Sequence, residues 1–168
     1  MKVLFVGLGS IGQRHLRNLK KLRHDQPLEV FSYRQSPSQL VIEDGSSKEV
    51  ESLEKYYGFT EFDSLEKALN EKPDIAFVCN PSSMHVPTSI LCANSGCHLF
   101  IEKPVSNGND GFYELEQILK EKDLVSMVGF QTRFHLIVME TFRLLKNQQY
   151  GQVISARFNW ADYLPNFH

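Results

Sequence analysis

Short runs of β-branched and aromatic residues alternate along this chain with longer stretches whose apolar residues recur at helical spacing. Val3 to Val6 is the first run, and beyond a glycine-rich turn Ile11, Leu16, Leu19 and Leu22 trace one face of a helix. A second strand is predicted at Leu28 to Tyr33. The polar stretch Gln35 to Ser47, with Ser36-Pro37-Ser38 and Asp44-Gly45-Ser46-Ser47, reads as a long mobile loop. A helix around Lys48 to Tyr57, a weak strand near Phe59 to Phe62 and a short helix from Ser64 to Asn70, capped by Ser64, follow. The fully apolar run Ile75 to Cys79 has the character of a strand covered on both faces. Helix Thr88 to Asn94 ends at Gly96, and His98 to Ile101 is another strand. The alternation continues through helix Asp110 to Glu121, strand Leu124 to Gly129 and helix Phe134 to Asn147. Strands alternating with helices imply an α/β fold with a doubly wound parallel sheet. Gly151 breaks the rhythm, and Gln152 to Asn159 reads as a strand running into Trp160, Tyr163 and Leu164-Pro165.

Composition narrows the classes. At 168 residues and 42% hydrophobic, the chain can bury a core. Its 18 Lys+Arg against 20 Asp+Glu give a net charge of -2, with no basic block to attract a phosphate backbone, so nucleic acid is excluded as the main partner. Cys79, Cys92 and Cys97 form neither a CxxC pair nor a metal-ligand cluster; the odd number argues against a disulfide framework and for a reducing cytoplasm. No metal site is expected. Met1-Lys2 and the following apolar run superficially resemble a signal peptide, but Arg14, His15 and Arg17 follow without a cleavage site. No apolar stretch reaches the roughly 18 to 20 residues of a membrane-spanning helix.

Three motifs carry candidate chemistry. Gly7-Leu8-Gly9-Ser10-Ile11-Gly12 follows a strand directly and opens a helix, the context of a dinucleotide-binding Rossmann turn. There Gly7, Gly9, Ser10, Ile11 and Gly12 would cradle a pyrophosphate, the helix-start N–H groups and the helix dipole attracting the anion. The acid that usually binds the ribose, roughly 20 residues on, is missing. Counting from Gly12 reaches Tyr33-Arg34, and Arg34 with Ser36 suits a 2′-phosphate, which favours NADP while leaving NAD possible. The alternative is a solvated loop cation stacking on adenine. Cys79-Asn80-Pro81-Ser82-Ser83 lies at the carboxyl edge of the sheet, where Asn80, Pro81 and His85 could border the cofactor. A plain turn, a serine cap and a structural histidine explain the same residues. Finally, Glu102-Lys103-Pro104 closes the fifth strand. Lys103 there could hydrogen-bond a substrate hydroxyl or carbonyl and steady alkoxide charge during hydride transfer, with Pro104 fixing the backbone, or Glu102 and Lys103 could form only a solvated ion pair.

Together with Gly96, Leu99-Phe100-Ile101 and Gly129-Phe130-Gln131-Thr132-Arg133-Phe134, these motifs resemble the Gfo/Idh/MocA family of NAD(P)-dependent oxidoreductases over essentially all 168 residues. The resemblance implies a Rossmann domain followed by an α/β domain with a large open sheet, which supplies the substrate pocket and usually a dimer surface. It also implies a substrate that is a sugar, a cyclitol or a nucleotide sugar. Lys103 matches the family's catalytic lysine, Glu102 and Lys103 belong to its cofactor-binding set, and Arg133 falls in the segment leading back from the cleft. The family's second-domain histidine and aspartate have no match here, and neither His135 nor His168 takes that place. The tail Trp160-Ala161-Asp162-Tyr163-Leu164-Pro165 resembles members placed in surface-polysaccharide synthesis.

The expected organisation is therefore a cofactor-binding core at residues 1–124, a last strand and helix at 125–150, and the first strand and stub of a second domain at 151–168. A homo-oligomer is expected too, since Phe158, Trp160, Tyr163 and Phe167 exceed what so short a tail can bury. A noncatalytic dinucleotide-binding module is the competing function.

Overall fold

The fold grows from strands that water does not reach. In β1 (Lys2–Val6), Val3, Leu4 and Phe5 have no exposed surface, as a central strand of a parallel sheet requires. The computed structural model describes residues 1–43, 46–148 and 150–159. The expectations at Asp44-Gly45, Trp160, Tyr163, Leu164-Pro165, Phe167 and His168 lie outside those residues. After β1 come α1 (Ser10–Leu22), β2 (Glu29–Tyr33), β3 (Leu40–Glu43), β4 (Ser46–Glu49), α2 (Leu53–Tyr57), β5 (Thr60–Phe62) and α3 (Leu65–Asn70). There follow β6 (Ile75–Val78), α4 (His85–Asn94), β7 (His98–Ile101), α5 (Phe112–Glu121), β8 (Ser126–Val128) and α6 (Leu136–Lys146). No helix among the described residues is long and apolar enough to cross a membrane.

Six strands form one parallel sheet in the order β5-β2-β1-β6-β7-β8. The chain winds outward from β1 through β2 to β5, then returns to β6 on the other side. That reversal opens a crevice above the carboxyl ends of β1 and β6, the place where doubly wound sheets bind ligands. Two cores flank the sheet. One face carries Leu4, Val6, Phe31, Val78, Leu99 and Ile101 against α3, α4 and α5; the other carries Val3, Phe5 and Val30 against α1 and α2. On the second face Phe5, Phe77 and Phe100 stand in register on adjacent strands. Their rings stack at 4.7 and 5.0 Å between centroids, tiling the sheet with aromatic surface.

By its packing the chain divides after Gly129 into two compact units. The first, residues 1–129, contains the whole sheet, including β8. In the second, the Gln131–Phe134 turn leads into α6, whose start is capped by His135: its Nδ1 accepts from the Ile137 N–H.

Three expectations need correcting. The stretch Gln35 to Ser47 is not simply a loop: β3 and β4 form an antiparallel hairpin, Leu40 opposite Glu49 and Glu43 opposite Ser46. The helix expected at Lys48 to Tyr57 begins only at Leu53, where the Ser52 hydroxyl accepts from the Lys55 N–H, because Lys48 and Glu49 are spent in the hairpin. Gln152 to Asn159 forms no strand, since no described residue of its unit offers an edge to pair with.

What holds the hairpin is one buried side chain. Gln13, 1% exposed, donates through Nε2 to Leu8 O (3.1 Å) and Leu40 O (2.9 Å). Its Oε1 accepts from the Ile42 N–H (2.8 Å) and the Tyr57 hydroxyl (3.1 Å), so its amide is fully used. Arg17 adds a bond to Ile42 O and another to the Tyr57 hydroxyl. Gln13→Ala removes four hydrogen bonds, two of them to the buried Leu8 O and Tyr57 hydroxyl, and should lower stability by about 3 kcal/mol. Urea denaturation followed by circular dichroism measures it, and a loss below about 0.5 kcal/mol, the level of a surface change, would show that the node is not needed.

Candidate dinucleotide site

Where β1 ends, the backbone turns so sharply that side chains no longer fit. Gly7 has φ +92°, and a Cβ there would lie 2.8 Å from Asn80 N and from Cys79 C and O. A Cβ on Gly12 would lie 2.4 Å from Gly7 O, so α1 sits against the end of β1 closer than any other residue allows. At Gly9 the corresponding direction is open, with nothing within 4 Å. The N-terminus of α1 carries no side-chain cap and no acidic residue in its first turn. Its first N–H groups have no intrahelical acceptor, and the helix dipole favours an anion before them. A cavity of about 660 Å³, the size range of cofactor pockets, opens on this turn; Gly7, Gly9, Arg34, Asn80, Pro81 and Thr88 are among its walls. A tight glycine cradle at a bare helix start, opening into such a cavity, fits the pyrophosphate of a dinucleotide.

The far wall follows β2. Arg34, just beyond that strand, lines the cavity with Gln35, Ser36 and Ser38, and no Asp or Glu is among the residues that do. Arg34 is not the solvated cation of the alternative reading. Its side chain is 5% exposed, its Nε and Nη2 donate to Glu61 of β5 at 2.7 and 2.5 Å, and its Nη1 donates to Ser38 O at 2.6 Å. The guanidinium also lies 5.7 Å from the Phe59 ring centroid.

The near wall is the turn after β6. Asn80 and Pro81 line the cavity, as the sequence suggests, and Asn80 Nδ2 donates to Thr88 Oγ1 at 2.8 Å. Asn80 Oδ1 is buried without a hydrogen-bond partner among the described residues. His85, expected to border the cofactor, is placed otherwise. It is 2% exposed, outside the cavity walls, with Nε2 2.7 Å from Asn80 O and Nδ1 2.7 Å from Pro104 O. The ring clasps the turn after β6 to the turn after β7. Cys79 also reaches the cavity, but burial, reinforced by the negative charge of Glu102, pushes its thiol far above the usual range, so it is no nucleophile at neutral pH.

Glu102, Lys103 and Pro104 follow β7 at the same edge of the sheet, and the Lys103–Pro104 peptide is cis. The anticipated Glu102–Lys103 ion pair does not form. Glu102 is 5% exposed and turns inward: Oε1 lies 2.7 Å from His15 Nε2, and Oε2 accepts from the backbone N–H of Lys103 at 3.1 Å. Gly129 makes room for it, since a Cβ there would meet Glu102 Oε1 at 2.8 Å. Lys103 itself is exposed, and its ammonium has no hydrogen bond or ion pair with another described residue. Glu102 thus fixes the lysine's backbone and is not among the residues that line the cavity. Arg133 lies in the second unit, where its Nε donates to Phe130 O at 3.3 Å.

His15, Glu61, Gln13 and Thr88 are the residues that sequence reasoning missed. His15 alone left a signal. It stands three residues after Gly12, on the helix face that must meet the sheet, and its ring packs on Phe100 (4.8 Å) and Phe77 (5.8 Å).

Residues 1–130 match the model of the Gfo/Idh/MocA oxidoreductase family, NAD-binding Rossmann fold. The chain belongs to that family. A 4-carboxy-2-hydroxymuconate-6-semialdehyde dehydrogenase of Sphingobium sp. is 29% identical over 139 residues, covering 80% of this chain and 40% of that protein. Myo-inositol 2-dehydrogenase of Thermotoga maritima is 26% identical over 165 residues, covering 98% of this chain and 46% of that protein. The chain therefore spans less than half the length of these relatives. The WlbA dehydrogenase of Bordetella pertussis, solved with NADH and UDP-GlcNAcA, shares the fold at a TM-score of 0.73 and 19% identity, over 90% of this chain and 44% of that one.

The two kinds of site residue should separate in a stability measurement. His85→Phe removes the buried ring nitrogens that face Asn80 O and Pro104 O and should cost about 2 kcal/mol, whereas Lys103→Ala, at an exposed side chain, should change stability by less than about 0.5 kcal/mol. Equal effects in chemical denaturation would contradict the division into clasp and reactive group.

Proposed function

We propose that this chain is the cofactor-binding part of an NAD(P)-dependent dehydrogenase that moves a hydride to or from a CH–OH or carbonyl carbon of a sugar, cyclitol or nucleotide sugar. One observation carries the reading: the glycine cradle and the exposed Lys103, whose ammonium has no partner among the described residues, stand at the same carboxyl edge of one sheet, joined by the His85 clasp. The bare start of α1, with Gly7, Gly9, Ser10, Ile11 and Gly12, would hold the pyrophosphate, and Arg34, Asn80 and Pro81 would wall the rest. When bound, the nicotinamide supplies the hydride acceptor or donor. Lys103 Nζ would hydrogen-bond the substrate oxygen, take or return its proton, and steady the negative charge that develops there. Glu102 keeps that lysine in place through its backbone N–H and through His15. The substrate class draws its support from the relatives, among them the inositol dehydrogenase, and the finer choice within it rests on none of this chain's own residues.

NADP is the favoured cofactor in this reading. A cation stands where an acid would bind a plain ribose, hydroxyls at Ser36 and Ser38 are near it, and no carboxylate lines the cavity to repel a 2′-phosphate. The proposal extends to a cytoplasmic protein, consistent with three unpaired cysteines, and to a homo-oligomer, consistent with the alternating apolar residues of Gln152 to Asn159.

Titration of the chain with NADPH and NADH, followed by nicotinamide fluorescence, should give a lower Kd for NADPH. Equal affinity, or tighter NADH, would remove the NADP part of the proposal, and failure to bind either would remove the whole. In the catalytically competent protein, Lys103→Ala should reduce kcat by about 10²-fold or more while leaving dinucleotide affinity within a few fold. Undiminished turnover would show that the lysine is no acid or base and favour dinucleotide binding without chemistry by this part of the protein.

A further inference from the structure

We infer that Glu61, on β5, sets how strongly this site prefers a phosphorylated adenosine ribose to a plain one, and that it does so through Arg34. The inference rests on the dinucleotide reading above and concerns a residue outside the cavity walls. A guanidinium carries five N–H groups in a rigid fork. Glu61 takes two of them, at Nε and Nη2, and Ser38 O takes one at Nη1. Two remain, one on each terminal nitrogen, and Arg34 is the cation that a ligand in the cavity meets.

Two consequences follow from that geometry. The edge of the fork best suited to a bidentate grip on phosphate oxygens is already filled by a carboxylate, and the pair as a whole is close to neutral. A 2′-phosphate at this wall therefore meets a cation with half its recognition surface and most of its field committed elsewhere. A plain ribose loses nothing by the same arrangement, because its hydroxyls can use the two remaining N–H groups and the serine hydroxyls. Glu61 thus acts as the missing acid displaced by one strand: it does not reach the ribose, yet it tempers the arginine that stands in the acid's place.

The pair is also anchored. Arg34 is held from both sides by Glu61 and Ser38 O and lies over Phe59, while the Glu61 N–H donates to Glu54 Oε1 at 3.2 Å. A buried cation stripped of its partner is strongly disfavoured. Without Glu61, an incoming phosphate becomes the counter-ion that Arg34 lacks.

The test measures Kd for NADPH and NADH on the parent chain, Glu61→Gln, Arg34→Met and the double variant. Glu61→Gln should raise the NADPH-over-NADH affinity ratio about tenfold, mostly by tightening NADPH, with NADH moving less than about twofold. In the Arg34→Met background the same change should leave the ratio where it is, a result that a merely structural role for Glu61 does not produce. Glu61→Asp, which keeps the charge but shortens the reach, serves if the glutamine variant does not fold, and should give a smaller rise. A ratio unmoved in the folded Glu61 variant, or moved equally with and without Arg34, overturns the inference while leaving dinucleotide binding intact. A parent chain that binds neither dinucleotide overturns both.

Discussion

The distance between the start of α1 and the ends of β1 and β6 governs almost everything in the first unit. At Gly12 a single methyl group would fall 2.4 Å from Gly7 O, and at Gly7 one would collide with the backbone of Cys79 and Asn80. With both absent, the helix lies low enough for its first N–H groups to face the switch-point crevice instead of passing above it. The same closeness determines what the rest of α1 can touch. One position along, Gln13 is driven into the interior and becomes the tie for the hairpin. One turn along, His15 comes down on the Phe77 and Phe100 rings and reaches Glu102. A helix displaced by an added methyl would lose these contacts together, because they share one rigid element.

Around that contact, the loops at the carboxyl edge owe their shape to buried polar side chains. Gln13 anchors the hairpin, His85 joins the turns after β6 and β7, and Glu102 joins β7 to α1. Each ties together elements far apart in sequence. A buried polar group with its bonds made rigidifies its surroundings, and with one broken it is costly, so such groups define one arrangement rather than several. The result is an edge where a flexible ligand meets surfaces already in position, which reduces the ordering that binding must otherwise supply.

How far the sequence revealed this depends on the range of the interactions involved. The buried strands β1, β6 and β7, the Ser64 cap and the glycine turn were legible because apolar runs, a cap three residues from its N–H and a turn are local properties. The hairpin was not, since its short strand β3 lies among polar turn residues and is held by a glutamine 27 and 29 residues away. Lys48 and Glu49, good helix formers, pair in that hairpin with Val41 and Leu40 and not in a helix. The strand expected at Gln152 to Asn159 shows the converse: alternating character records a capacity to pair, and a strand exists only where a partner edge does. His85 was found by its motif, yet its place, inside and between two carbonyls, required the fold.

Charge pairing carries the same lesson further, because it decides which cations are available for chemistry. Glu102 and Lys103 are adjacent in sequence and do not pair; Arg34 and Glu61 are 27 residues apart and do. Adjacent residues at a strand end point to opposite sides of the sheet. Glu102 therefore faces α1 and satisfies itself on His15 and on a backbone N–H, while the Lys103 ammonium is left at the open edge. Parallel strands in register, by contrast, bring Glu61 beside the end of β2, where it pairs with the arginine that follows. The sheet thus sorts its two candidate cations. One, Arg34, has its charge tempered by Glu61 and stands in the cavity wall, and the other, Lys103, is exposed, with the neighbouring carboxylate bonded to its backbone N–H and not to its ammonium. The register of β2 and β5 accounts for the first placement, and the inward turn of Glu102 toward His15 accounts for the second.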